Sequence, residues 1–93
     1  MPYKVEIVDS RANNLFLSQL PKDLLPKVAE HLKLLGAHPY LGRSVEAPIP
    51  AYIYSFNITY SKQLQKFTVS YKINEGDETI IINSFGREII KRR

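Results

Sequence analysis

FTVSYKINEGDETIIINSFGRE, residues Phe67 to Glu88, changes its hydrophobic pattern midway, and how that stretch is read decides the fold. Phe67, Val69, Tyr71 and Ile73 alternate with Thr68, Ser70 and Lys72, the period-two pattern of a strand with one buried face. Asn74-Glu75-Gly76-Asp77 is a tight-turn sequence in which Gly76 suits a positive φ. Thr79 to Asn83 holds Ile80, Ile81 and Ile82, an unbroken apolar run that predicts a central strand covered on both faces. Two antiparallel strands follow from this stretch alone.

Upstream, the same period continues. Tyr52, Tyr54, Phe56, Ile58 and Tyr60 alternate with Ile53, Ser55, Asn57 and Thr59, giving a long strand with an aromatic face. SKQLQ, residues 61–65, reads as the hairpin loop, so the three C-terminal strands form an antiparallel meander. GAHPYLGRSVEAPIP, residues 36–50, holds two Gly and three Pro and reads as a connecting loop.

Before that loop the period becomes helical. Leu25, Val28, Ala29, Leu32 and Leu35 share one face, and Lys27, Glu30 and Lys33 take the other. This predicts a helix over about residues 23–35, with Asp23 as N-cap, Pro26 in the first turn and Gly36 just past the end. Arg11 to Leu20 predicts an earlier helix capped by Asp9 or Ser10 and stopped by Pro21. Tyr3 to Val8 alternates again and predicts a first strand. The order β-α-α-β-β-β over residues 1–93 predicts one two-layer α+β domain, with the helical hairpin on the aromatic face of the meander and the N-terminal strand extending the sheet. The other face would show Ser55, Asn57, Thr59, Lys66, Thr68, Ser70 and Lys72.

Composition narrows the chemistry. With 44% hydrophobic and 24% charged residues the chain is globular in type. The absence of cysteine excludes a disulfide framework and a thiolate metal site. His31 and His38 have no ligand spacing around them, so no metal or other cofactor is expected. No apolar run approaches membrane-spanning length and no basic leader precedes an apolar core, so the expected setting is cytoplasmic, with no membrane partner. Residues 87–93 carry four basic side chains and one acidic, against nine and eight in the preceding 86 residues. A nearly neutral body with a basic tail suits a polyanion or an acidic partner.

The strong enzyme signatures (P-loop, G-x-G-x-x-G, G-x-S-x-G, H-E-x-x-H) are absent. What remains is cationic. Arg43, Lys62, Lys66, Lys72 and Arg87 can reach phosphates, while the alternation turns most of Tyr52, Tyr54, Tyr60 and Tyr71 inward. Metal-free RNA cleavage needs a base for the 2′-hydroxyl, cations for the charge on phosphorus and an acid for the leaving oxygen; lysines and arginines meet the second need readily.

The chain resembles the RelE/ParE superfamily of toxins from type II toxin–antitoxin systems. The resemblance rests on Leu20-Pro21-Lys22, Leu35-Gly36, His38-Pro39, Leu41-Gly42-Arg43 and the Phe67–Glu88 stretch, with its acidic turn, isoleucine run and closing glycine and arginine. It implies a compact toxin neutralised by a cognate antitoxin that wraps its surface, expected to lie over the helix pair and add a strand or helix. RelE-like members cut mRNA on the ribosome without a metal; ParE-like members share the fold and poison DNA gyrase. The resemblance places Arg87 at the family's late arginine, where it would stabilise the scissile phosphate, and Arg43 at a commonly basic loop position. The family's strand cations fall on Ile53, Ser55 and Thr68 here, with Lys62 and Lys66 as nearby substitutes, and no tyrosine follows Tyr71. The resulting expectation is an mRNA endonuclease (mRNA interferase) that inhibits translation, with Arg87 and Lys66 catalytic and Arg43, Lys62, Lys66, Lys72 and Arg87 binding RNA. The alternatives are a ParE-like non-catalytic inhibitor of gyrase, or a degenerate toxin that retains only antitoxin binding.

Overall fold

The computed structural model describes residues 2–46 and 50–92, with side chains through residue 90. Strands β1 (Lys4–Ile7), β2 (Arg43–Val45), β3 (Ala51–Tyr60), β4 (Gln63–Asn74) and β5 (Thr79–Arg92) form one sheet in the order β1-β5-β4-β3-β2. Helices α1 (Arg11–Gln19) and α2 (Leu25–Ala37) follow β1. The expected α+β, two-layer architecture with a C-terminal meander is what the chain adopts. β3, β4 and β5 are antiparallel, while β1 lies parallel to the start of β5, with Lys4 opposite Thr79 and Ile7 opposite Ile82.

The helices cover one face. Leu24, Val28, Leu32 and Leu35 pack against Phe56, Ile58, Phe67, Val69, Tyr71, Ile80 and Ile82. Each such buried side chain stabilises the fold by about 1.5–3 kcal/mol. Ile81, between two fully buried isoleucines, is only half-buried, so the run is covered on one face and not on both. Ser10 caps α1, its Oγ accepting the Asn13 N–H at 3.1 Å.

Local expectations differ from the structure in several further places. Asp23 does not cap α2, whose N-cap position is Leu24 with no side-chain bond, although Pro26 sits in the first turn as expected. Gly36 lies inside α2; it is needed because a Cβ there would come within 2.8 Å of the Tyr3 carbonyl oxygen, and its own carbonyl accepts the Tyr3 N–H at 2.7 Å. The connecting loop contains a short 3₁₀ helix (Pro39–Leu41) and the edge strand β2; its residues 47–49 lie outside the described residues. The β3–β4 hairpin turns on Ser61 and Lys62 alone, both at positive φ (51° and 62°), so Gln63-Leu64-Gln65 belongs to β4. In the β4–β5 turn the positive φ falls on Glu78 and not on Gly76.

The basic tail is also strand. β5 continues through Arg92, paired to β4 on one side, while β1 covers its other side only as far as Ile82. From Ser84 onward the outer edge of β5 has no strand partner among the described residues. None of the described helices is long and apolar enough to cross a membrane.

Candidate nucleic-acid interface

The orientation of Arg87 is set by an irregularity in β5. Ser84 pairs with Ser70, and Ile82 pairs with Tyr71, so Asn83 is an extra residue, a β-bulge. Before the bulge Ile80 and Ile82 face the helices. After it the odd-numbered residues do: Phe85 stacks on Phe16 of α1 at 4.8 Å and 5°, and Arg87 lies opposite Phe67. The bulge is held from the helix layer. Asn13, 2% exposed, donates from Nδ2 to the carbonyls of Val8 (3.0 Å) and Asn83 (3.1 Å).

Arg87 is fixed at its inner nitrogen and open at its outer ones. Its Nε donates to Gln65 Oε1 at 2.7 Å, and its Cζ lies 5.8 Å from the centre of the Phe67 ring. Gln65 is 1% exposed and braced by Gln63. Glu88 points to the other face, opposite Lys66, and among the described residues the only ion pair is Lys4–Glu6 at 3.8 Å. The outer guanidinium nitrogens are therefore free to fork onto a phosphate.

The remaining cations lie elsewhere. On the face away from the helices, Arg43 pairs with Ile53 and Lys66 with Asn57, and together they border a depression of about 440 Å³ with Gly42 and Ser55. Ser55 Oγ and Thr68 Oγ1 are 3.3 Å apart on this face, so the Thr68 position contributes a hydroxyl and no charge. Lys72 stands further along β4 on the same face, and Lys62 occupies the hairpin tip. The structure thus brings Arg43 and Lys66 together, aligns Lys72 with them, and puts Arg87 on the opposite side of the sheet.

Tyr71 ties the Arg43 segment to the core. Fully buried, its hydroxyl donates to the Pro39 carbonyl (2.8 Å) and accepts the Gly42 N–H (3.0 Å). A Cβ on Gly42 would lie 2.6 Å from that hydroxyl and 2.9 Å from the Ile53 carbonyl oxygen, so only glycine fits. Burial raises the Tyr71 pKa above 10.0, partly offset by the Gly42 hydrogen bond. Burial also raises that of Tyr54, whose hydroxyl meets His31 Nδ1 at 3.0 Å. His31 stacks on Phe56 at 4.0 Å, joining α2 to β3, while His38 is the exposed C-cap of α2. No group of three His, Cys, Asp or Glu that could hold a metal occurs among the described residues.

Sequence reasoning missed Gln65, Asn13 and the bracketing role of Tyr71. Gln65 carried a signal, since it lies in phase with Phe67, Val69 and Tyr71 and so had to be a buried polar group with a partner.

No family model matches the chain, and no curated protein matches it. Two solved structures share its fold. A mutant of the E. coli toxin RelE in the free state superimposes with a TM-score of 0.63 at 16% identity, over 92% of this chain and 83% of that one. The toxin–antitoxin complex RelBE2 from Mycobacterium tuberculosis gives 0.67 at 17% identity, over 95% of this chain and 100% of that one. With its helical hairpin laid on a meander that closes on Arg87, the chain has the fold of the RelE toxins.

Proposed function

We propose that this protein is the toxin of a toxin–antitoxin pair and acts as a metal-independent endonuclease on ribosome-bound mRNA. The fold shared with RelE supports the first part. The observation that carries the second is Arg87, held at Nε by Gln65 and against Phe67, with its outer nitrogens unpaired among the described residues. In this reading the 2′-oxygen of the RNA attacks the adjacent phosphorus and the bond to the 5′-oxygen breaks, leaving a 2′,3′-cyclic phosphate and a 5′-hydroxyl; solvent takes the 2′-proton and protonates the departing oxygen, and Arg87 stabilises the charge that develops on the non-bridging oxygens of the scissile phosphate. Such a preorganised donor contributes about 10²–10³ in rate.

The cations on the opposite face have a different role. Lys66, Arg43 and Lys72, with Lys62 at the tip, hold flanking RNA backbone by charge and not by chemistry. The RelBE2 neighbour is a toxin–antitoxin complex, which supports a cognate antitoxin for this chain too. Its docking ground is the helix pair together with the outer edge of β5, which has no strand partner among the described residues. The ribosome places the activity in the cytoplasm.

The test is induced expression with primer extension on abundant mRNAs, alongside a supercoiling assay on purified gyrase. Growth arrest with mRNA cuts that vanish in Arg87→Ala is the expected result. Arrest without cuts, with gyrase inhibited, overturns it.

A further inference from the structure

The outer edge of β5 is held only as far as the bulge. Val8 N–H donates to the Ile82 carbonyl at 2.9 Å and Asn13 Nδ2 to the Asn83 carbonyl at 3.1 Å. From Ser84 to Arg92 that edge has no strand partner among the described residues, so every second residue presents backbone donor and acceptor outward. The helix side of this edge carries a cation between two apolar groups. Phe85 stacks on Phe16, Arg87 is tied at Nε to Gln65, and Ile89 lies opposite Gln65, so the three share a side. α1 covers only the first of them: Phe85 is half-buried, whereas Arg87 is exposed and Ile89 is 44% exposed. Glu88, the one carboxylate of β5, stands on the other side opposite Lys66.

An added strand would set its own side chains in register with these three. A residue directly across from Arg87 has its Cβ about 5 Å from that of the arginine. At that reach a carboxylate meets the outer guanidinium nitrogens in the fork geometry that a phosphate would use. The residues two places to either side fall opposite Phe85 and Ile89, where apolar side chains bury surface. The complement of the edge is therefore apolar-x-acidic-x-apolar, a pattern that reads the same in either strand direction. Residues 87–93, with four basic side chains and one acidic, draw an acidic chain to this end of the sheet. A nucleic acid has no backbone ladder to offer the edge, and a purely apolar peptide leaves Arg87 unanswered.

We infer that the outer edge of β5 takes an extended acidic segment of a protein partner as an added strand, with its carboxylate on Arg87 and its flanking apolar residues on Phe85 and Ile89. In the proposed function that partner is the antitoxin, and its carboxylate excludes phosphate from Arg87; this consequence rests on the endonuclease reading, whereas the binding does not. The experiment measures, by fluorescence polarisation, binding of the full chain to the fluorescein-labelled peptide Thr-Val-Thr-Glu-Thr-Val-Thr and to its glutamine counterpart. The wild type is expected to bind the glutamate peptide about tenfold more tightly. Arg87→Ala removes that preference and leaves the glutamine peptide bound as before, and Glu88→Gln, on the other side of the sheet, keeps the preference. Two further peptides are N-methylated, one at the valine and glutamate positions and one at the threonines. Only one set of N–H groups faces β5, so one of them loses about tenfold or more in affinity and the other does not. No binding by the wild type, or the same response to both methylations, overturns the added strand. A preference that is absent from the wild type or persists in Arg87→Ala overturns the carboxylate contact. Cleavage of ribosome-bound mRNA that continues under saturating glutamate peptide overturns the exclusion of phosphate. Peptide binding as expected in a chain that cuts no mRNA upholds the added strand and overturns the endonuclease reading alone.

Discussion

Arg87 and Lys66 sit one register step apart on adjacent strands and point to opposite faces of the sheet. Arg87 lies opposite Phe67 on the helix side, and Lys66 lies opposite Glu88 on the open side. One phosphate cannot be held between them. The two residues therefore make separable contributions, which mutation can resolve.

Arg87→Ala is expected to slow mRNA cleavage by about 10²–10³ while leaving RNA affinity within a few-fold, the pattern of a group used in the transition state. Lys66→Ala is expected to weaken RNA binding uniformly and to lower the salt slope by about 0.7, with little effect on the cleavage step itself. Single-turnover cleavage and salt-dependent binding on the same two variants check this. Equal losses in both assays would contradict the division.

Asn13→Asp replaces a donor with an acceptor against two carbonyls, those of Val8 and Asn83, in a site that is almost fully buried. A loss of about 3 kcal/mol is expected from the unpaired carbonyls and the buried charge. Because Asn13 holds the bulge that turns Arg87 toward Gln65, the proposed cleavage activity of the remaining folded protein is expected to fall as well. Chemical denaturation, with cleavage rates corrected for the folded fraction, measures both effects.

Gly36→Ala tests a conflict of signs. In an ordinary helix interior the change stabilises by about 1 kcal/mol. Here the new methyl group would approach the Tyr3 carbonyl oxygen to 2.8 Å, and that atom belongs to backbone held by β1. The expected net result is a loss of about 1–2 kcal/mol, seen as a thermal midpoint lower by several degrees. A rise in the midpoint would show that β1 yields.

Tyr71 makes stability sensitive to alkali. Its folded pKa lies above the unfolded 10.0, chiefly through burial, so the phenol ionises more readily in the unfolded chain. The contribution is complete below about pH 10 and is lost as pH rises through that value toward the folded pKa. Tyr54, raised by burial alone, adds in the same direction. Urea denaturation at rising pH should show stability falling from about pH 10, with a shallower fall in Tyr71→Phe.

Where the sequence had a long period to read, the fold was legible. The alternation in residues 52–60 and 67–73 and the 3.6-residue spacing of Val28, Leu32 and Leu35 each reported a buried face directly. β2 was not legible because three residues, Arg43-Ser44-Val45, are too few to show a period, and the Gly and Pro around them signalled a loop. The hairpin was misjudged because Ser61 and Lys62 adopt positive φ without glycine. The cations of the site were visible by residue type, but their faces were not. Counting by twos from Ile80 and Ile82 sends Arg87 to the side of Lys66, and a single extra residue, Asn83, reverses the count. A bulge leaves no mark on composition; it appears only when two strands are laid side by side.

The outer edge of β5, without a strand partner among the described residues from Ser84 onward, also bears on how copies of this chain would meet. An unpaired edge invites the same edge of a second molecule, and antiparallel pairing that keeps both helix layers on one side can match Phe85 with Ile89. That register sets Arg87 directly against Arg87 of the other copy, with cross-strand neighbours about 5 Å apart, where like charges repel. On the proposed function, the arginine that would meet a phosphate also opposes edge-to-edge assembly in the register its apolar neighbours would favour.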